Sequence, residues 1–551
     1  MPPQSNPPFT HHPPGRTYVD ALKCLDSLPS NASVVASLST HSSTGGDPNL
    51  KALPEMLDFF ARAGYAPTDL ARLRCIHVAG TKGKGSVCAM IQSILEAYRE
   101  DYQKREAKAQ VPPGEKGLGR IGMYTSPHLA SVRERIRIDG QPLNKSRFTE
   151  YFFQIWDAFT DASRREGMPP QEAQGPAGKP GQFRYLTILA WHVFLQENVQ
   201  TAIIECGIGG EYDSTNILPA SAVTVSVITA LGIDHVPMLG DSLSSIAWHK
   251  SGIMKKGVTC LTVPQPAEAM KVLSRRQTDS GARLEVVNRR AQIFDGEARL
   301  GLAGDFQKDN ASLAVMAATH HMEKLGMGDA GNILGNSYLP DIMKDGLEKV
   351  HWPGRCQIIK GNNIRWCIDG AHTPDSLSAA AEWFGQEWSK GGRKSSMLIF
   401  ASPLRDAPVL AGHLNRAITQ SCGPEKPFQV AAFVGSTTLA RDVVSSTPGG
   451  AGKQDLKRER ETMETWMSEG GSQSAMVHPS LQEAVESAKE IAMAKYPDIF
   501  HVFVTGSLKL VGGMLTLLGP KEESDEWEMV QDRERERWVQ QQQQQQGQER
   551  R

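Results

Sequence analysis

Apolar and polar positions follow two rhythms along this chain, and each change of rhythm marks an element. Tyr18, Ala21, Leu22, Leu25 and Leu28 recur at helical spacing, and Leu53, Met56, Leu57 and Phe60 do so again over Leu53–Ala63. Cys75–Ala79 is a short apolar run that predicts a buried strand, and Val87–Leu95 predicts a helix packed on a sheet. Arg120–Tyr124, Thr201–Glu205 and Ala222–Ile228 predict further strands. Phe148–Phe159, Leu186–Phe194 and the stretch beginning Leu243–His249 predict helices. Strands alternating with helices imply a parallel sheet covered on both faces, with ligands at the carboxyl ends of its strands. Ser126, Glu205 and Asp234 all fall at or just past such ends.

The rhythm breaks in several places. Glu96–Gly119, with its most polar part at 104–118, and a second segment at 164–182 read as solvated insertions. Ser30–Asp47 reads as a loop. His351–Arg355 reads as a linker, after which a second alternating set begins. Its predicted strands are Ile364–Ile368, Ser396–Phe400, Gln429–Val434 and His501–Thr505, and its helices include Ser376–Trp388 and Leu481–Tyr496. Ser445–Asp455 and Lys457–Glu464 read as an exposed loop and a charged run. The resulting division is a disordered extension at 1–16, a larger α/β domain at 17–350, a smaller one at 351–519, and a disordered tail at 520–551 with glutamines from Gln540 to Gln546.

Composition narrows the partners. At 551 residues and 40% hydrophobic, the chain is long enough for more than one core. A net charge of −1 gives no global reason to expect nucleic acid or an anionic membrane. The eight cysteines form no C-x-x-C pair, so neither zinc nor a disulfide framework is indicated, and reduced thiols in an intracellular protein are expected. No apolar run approaches the ~18–20 residues that span a bilayer. Met1–Arg16 lacks the apolar core of a secretory signal. With no acidic residue before Asp20 it leaves a mitochondrial presequence open beside the favoured reading, a disordered tail.

The chemistry concentrates in Gly80-Thr81-Lys82-Gly83-Lys84-Gly85-Ser86, between the first strand and its helix. Strand, glycine loop and helix form the layout of a phosphate-binding loop: glycines bring backbone N–H groups close to an anion, and the helix terminus adds partial positive charge. Lys84 can reach the β/γ-phosphates, and Ser86 offers a hydroxyl. The spacing departs from the common loop, because Gly85 separates Lys84 from Ser86. Glu205, opening the run Glu205–Asn216, is a strand-end carboxylate that reads as a metal ligand or, alternatively, as a helix-capping or salt-bridged group. His235 in Gly232–His235, and Ser126-Pro127-His128, are each consistent with an ordinary structural role when taken alone.

In order along the chain, these stretches resemble the ATP-dependent amide ligases of the folylpolyglutamate synthase group, related to the Mur peptide ligases. The resemblance rests on Gly80–Ser86, Tyr124–Leu129, Val132–Ile138, Glu205–Asn216, Gly232–His235, His249–Ile253, Trp352–Arg355, Asp369–Thr373 and Val504–Leu508, and it covers about Tyr18 to Leu518. The Ser-Pro-His-Leu and Arg-Glu-Arg-Ile-Arg-Ile stretches resemble the eukaryotic branch. The resemblance implies a Mur-ligase-like α/β fold: an N-terminal P-loop ATPase domain with a parallel sheet, and a smaller C-terminal Rossmann-like domain. It implies that Gly83, Lys84, Gly85 and Ser86 hold the ATP phosphates, with Asn310 near the adenine, Arg355 on the phosphates and Asp369 near the ribose. Ser126, Glu205 and His235 become magnesium ligands. Lys250 becomes a carbamylated lysine supporting a second magnesium, with a monovalent cation alongside. His372 faces the phosphates or the incoming glutamate, and Pro127 and His128 flank the folate. The implied activity is addition of L-glutamate in γ-linkage to tetrahydrofolate and its polyglutamates through an acyl phosphate. The implied protein is a cytoplasmic monomer, with a mitochondrial pool open, and no nucleic-acid or integral-membrane partner. Dihydrofolate synthase, joining dihydropteroate to glutamate, is the alternative. A regulatory protein without catalysis is argued against by the intact Lys84, Glu205, His235 and Lys250. Lys509 stands where the group's Val-Thr-Gly-Ser-Leu motif is expected to continue with histidine.

Overall fold

The computed structural model describes residues 15–30, 48–111, 115, 117–296, 298–327, 333, 338–390, 395–403, 406–423, 427–436, 456–495 and 499–519. The expected loop over 31–47, the exposed loop up to Asp455, the glutamine-rich tail and most of the N-terminal extension lie outside these residues. Arg16 lies inside them and is tied to the fold, bonding Asp157 at 2.8 and 2.9 Å with its guanidinium over Phe153.

The first sheet comprises β1 (Cys75–Ala79), β2 (Ile121–Tyr124), β3 (Ile136–Ile138), β4 (Gln141–Pro142), β5 (Thr201–Glu205), β6 (Val223–Ile228), β7 (Thr259–Thr262) and β8 (Arg283–Val286), in the order β4-β3-β2-β5-β1-β6-β7-β8. It is mixed rather than purely parallel: the strands from β2 across to β8 run parallel, but β3 and β4 add an antiparallel edge. The expected parallel sheet is corrected to that extent. A tight turn at Asp139-Gly140, both at positive φ, folds β4 back on β3. β1 is wholly buried, with β5 on one side and β6 on the other. The carboxyl ends of these three strands therefore open into one crevice.

Both faces are covered. Helices Lys145–Arg165 and Gln182–Gln196 bury Phe148, Phe152, Phe159, Tyr185, Trp191 and Phe194 on one side. Helices Lys84–Ala107, Gln307–Lys324 and Asp341–Lys349 cover the other. Each such side chain contributes about 1.5–3 kcal/mol by leaving water. Helix Lys84–Ala107 continues well past Leu95, so the first half of the expected insertion, to Ala107, is helix. Its outer half carries no apolar stripe and is braced by Arg105–Asp101 and Lys104–Glu100 pairs one turn apart. The second expected insertion is also structured. A short helix, Pro170–Gln174, precedes Lys179, whose buried ammonium donates to Thr160 Oγ1 and to the carbonyls of Ala173 and Gly175.

The second sheet comprises β9 (Gln357–Lys360), β10 (Ile364–Ile368), β11 (Ser396–Phe400), β12 (Phe428–Ser436), β13 (Ser474–Ser480) and β14 (Phe500–Thr505), ordered β13-β12-β11-β14-β10-β9 with only β9 antiparallel. Lys457–Glu464, expected as a charged run, lies in a helix, Lys457–Ser468, that buries Thr462 and Trp466. Lys509 is exposed on helix Leu508–Leu518, so the departure from histidine there costs no packing.

The lobes come together at Leu129: a Cβ on Gly512 would lie 2.0 Å from the Leu129 carbonyl, and one on Gly354 would lie 3.4 Å from Leu129 Cδ1. In the linker, Trp352 lies under the Arg137 guanidinium, 5.1 Å from its ring centroid. Among the described residues no helix is long and apolar enough to cross a membrane.

Candidate active site

The glycine loop leaves β1 and enters helix Lys84–Ala107 with Gly80 at φ +144° and Gly83 at φ +88°. Gly80 has no room for a side chain: a Cβ there would meet Thr229 Oγ1 at 1.8 Å. At Gly83 a Cβ would stand 2.4 Å from Asn310 Oδ1, so Asn310 lies against the loop itself. Asn310 Nδ2 donates to Gln307 Oε1 at 2.8 Å, and Gln307 Nε2 donates to the buried Ser86 Oγ at 3.4 Å. Gly85, the departure from the common spacing, has a reason in the fold. Trp352 Nε1 would be 3.0 Å from a Cβ there, so the linker packs on the first turn of the helix.

Lys84 Nζ lies 3.9 Å from Glu205 Oε1 at the end of β5, and Glu205 Oε2 accepts the Ser126 N–H at 3.1 Å. Glu205 is 4% exposed, and burial raises its pKa, opposed first by Lys84 and further by Arg355 and Arg135. Lys84, Glu205, Ser126 and, across the cleft, Arg355 thus share one electrostatic neighbourhood. Lys250 is 3% exposed and donates to the Gly80 carbonyl at 2.8 Å. Burial, with the Lys84 charge second, brings its pKa down to about 7.

His235 follows β6 on an exposed turn at φ +54°, its N–H bonded to Asp234 Oδ1. Pro127 is exposed. His128 is half-buried and turns inward, where Nδ1 accepts the Arg135 Nε–H at 2.9 Å; burial and then the Arg135 charge push its pKa to about 3. In the second lobe Asp369 accepts the N–H of Cys356 at 2.8 Å and of Ala371 at 2.9 Å, and burial raises its pKa. His372 Nδ1 lies 2.8 Å from the Gly370 carbonyl, so that nitrogen carries the proton and donates.

Among the described residues no three His, Cys, Asp or Glu side chains could together hold a metal ion. The fit to magnesium is nevertheless sound. Magnesium takes oxygen from one or two carboxylates and from substrate phosphates while keeping waters. Glu205 supplies a buried carboxylate that a divalent cation would hold ionised, and Ser126, whose backbone N–H bonds that carboxylate, is a residue that carries a hydroxyl oxygen.

Several side chains hold the site together in ways the sequence pattern does not show. Glu134 takes the N–H groups of Leu129, Ala130 and Ser131 at 2.7–2.9 Å and so shapes the loop after His128. Phe183 is half-buried, lies 6.3 Å from Tyr124 between ring centroids, and fills the space a Cβ on Gly207 would need. Asp213 is legible only as a cap of Ser214–Ile217. It takes the N–H groups of Gly207 and Ile208 on one oxygen, and the N–H and hydroxyl of Thr215 on the other. Asp213→Asn, which turns an acceptor into a donor facing two N–H groups, is expected to loosen this loop by about 1–3 kcal/mol. Faster amide hydrogen exchange at Gly207 and Ile208 is the readout, and unchanged exchange would contradict it.

No family model matches the chain. It is 37% identical over 517 residues to folylpolyglutamate synthase of Saccharomyces cerevisiae, covering 91% of this chain and 87% of that one. Its fold is similar to Mycobacterium tuberculosis folylpolyglutamate synthase complexed with ADP, with TM-score 0.63 and 22% identity over 92% of this chain and 100% of that one. It is similar also to the apo form of L. casei FPGS, with TM-score 0.64 and 24% identity over the same shares.

Proposed function

The chain belongs to the folylpolyglutamate synthase family, and from that membership we propose how its cleft joins L-glutamate to a folate at the expense of ATP. It is an ATP-dependent carbon–nitrogen ligase. A carboxylate does not condense with an amine at neutral pH, so the folate γ-carboxylate first attacks the γ-phosphorus of ATP, releasing ADP and giving an acyl phosphate. The glutamate nitrogen then adds to the acyl carbon, loses a proton and expels phosphate. The single observation that carries this reading is the convergence of Lys84 on Glu205 and Ser126 at the glycine loop.

Phosphoryl transfer needs positioning and charge neutralisation more than covalent help. Gly83, Gly85 and Ser86 present backbone N–H groups at the helix start, Lys84 neutralises the transferring group, and Arg355 adds charge from the other lobe. Asn310 and Asp369 border the nucleotide, and His372 faces the second step. Pro127, His128 and Phe183 line the folate side. Ser126, Glu205 and His235 would hold one magnesium and a carbamylated Lys250 would support a second; the ions supply further neutralisation of the phosphates. A monovalent cation, a monomeric state and a cytoplasmic location with an additional mitochondrial pool complete the proposal. The closed lobes, hinged at His351–Arg355, would keep water from the acyl phosphate.

The γ-linked extension of reduced folates is tested with labelled glutamate, ATP and magnesium, offering tetrahydrofolate in one assay and dihydropteroate in the other. Incorporation with tetrahydrofolate and not with dihydropteroate is expected. The reverse would assign dihydrofolate synthase.

A further inference from the structure

Lys82 is the lysine of the glycine loop that this chemistry does not use. Its Nζ lies 3.1 Å from Oδ2 of Asp234, which is 7% exposed, and Oδ1 accepts the N–H of His235 at 2.9 Å. Both oxygens of a buried carboxylate are therefore engaged directly beside an imidazole. Other ties hold the same two loops together. Thr81 Oγ1 donates to the Gly232 carbonyl and accepts the Gly232 N–H, both at 3.1 Å. The N–H groups of Thr81 and Lys82 meet the Ala230 carbonyl at 3.0 and 3.1 Å.

This arrangement bears on how a histidine comes to serve a hard cation. Magnesium prefers a carboxylate oxygen to an imidazole nitrogen. An unrestrained Asp234 beside His235 would compete for the ion and draw it away from Glu205 and Ser126. An ammonium at 3.1 Å both neutralises that carboxylate and fixes where it points. We infer that Lys82 is a positioning residue: through its ion pair with Asp234 it keeps that carboxylate off the cation and leaves His235 to face it. The inference rests on the metal reading proposed above.

The test compares Lys82→Met, Asp234→Asn, the double variant and Lys82→Arg. Two readouts are taken: steady-state kinetics, and Mn2+ binding to nucleotide-free enzyme followed by paramagnetic resonance. Lys82→Met is expected to bind Mn2+ more tightly, because a positive charge is gone and a carboxylate is released, while kcat falls by about tenfold or more with KM for ATP little changed. The double variant should return both quantities to within about threefold of wild type, since it also removes the carboxylate that the lysine restrains. Lys82→Arg should retain most activity. If Lys82→Met leaves Asp234 too poorly paired to fold, Lys82→Gln, which keeps a hydrogen-bond donor for Asp234 but no charge, takes its place and is expected to bind Mn2+ more tightly than wild type; unchanged affinity there would overturn the inference. A raised KM for ATP in Lys82→Met that Asp234→Asn does not relieve would make Lys82 a phosphate ligand and overturn the inference, as would unchanged metal affinity and kcat. A wild-type enzyme that ligates glutamate in chelator, without any divalent cation, would instead remove the metal reading, and the steady-state kinetics show it.

Discussion

Lys84→Ala is expected to lower glutamate addition by about 10³-fold or more while the protein stays folded. The size follows from where the charge sits. Lys84 is the first residue of its helix, at the helix terminus that favours anions, and its ammonium reaches the crevice between the ends of β1 and β5. A cation aimed at the transferring phosphoryl group is among the largest single contributors to such reactions. The change leaves Glu205 without its nearest ammonium, and burial already raises the pKa of that carboxylate. It can respond by taking a proton, so stability should fall far less than activity. Product formation by chromatography, with circular dichroism to confirm folding, separates the two. Turnover within tenfold of wild type would remove Lys84 from its assigned role.

Substitution of Lys250 carries the second large effect, and it comes with a pH signature. A carbamate forms when the neutral amine attacks carbon dioxide and the nitrogen then loses a proton to water. An ordinary lysine is almost wholly protonated at pH 7. Burial lowers the Lys250 pKa to about 7, so near neutrality about half of it is neutral. Below that pH the neutral fraction falls tenfold per unit, and above it the fraction approaches one. Carbamylation and activity should therefore rise with pH through about 7. Carbon dioxide depletion should lower wild-type activity, and bicarbonate should restore it. Lys250→Ala should lose about 10²-fold or more and regain part of it with a short-chain carboxylate, which can stand in for the carbamate. Activity indifferent to carbon dioxide and unaltered in Lys250→Ala would show that Lys250 only braces the Gly80 carbonyl, to which it donates at 2.8 Å.

Much of this architecture is legible in the sequence. β1, β5 and β6 are buried, largely apolar runs, and their carboxyl ends are marked by Gly80, Glu205 and the segment leading to Asp234. β9 and β13 are not legible, because sheet-edge strands bury only part of each side chain, and their sequences, Gln-Ile-Ile-Lys and Ser-Ala-Met-Val-His-Pro-Ser, blur the pattern. The outer half of helix Lys84–Ala107 escapes for a related reason. It lies beyond the buried first half and is held by ion pairs, including Arg99 with Asp139, that leave no apolar stripe. In the site, Lys84 and Glu205 stand in local motifs and can be named. The Lys82–Asp234 pair and the contact of Trp352 with Gly85 cannot, because each joins segments far apart in the chain. That second contact also explains the unusual loop spacing, which looks arbitrary along the sequence.

The claim on which all of this turns is that the folate carboxylate is phosphorylated before it meets the amine. Supplying tetrahydrofolate with both oxygens of its γ-carboxylate replaced by 18O, together with ATP, magnesium and glutamate, and weighing the released phosphate measures this directly. One 18O atom per phosphate for every glutamate added is the expected result, because the oxygen that attacked the phosphorus leaves with it. Phosphate released without 18O while the folate is lengthened would contradict it.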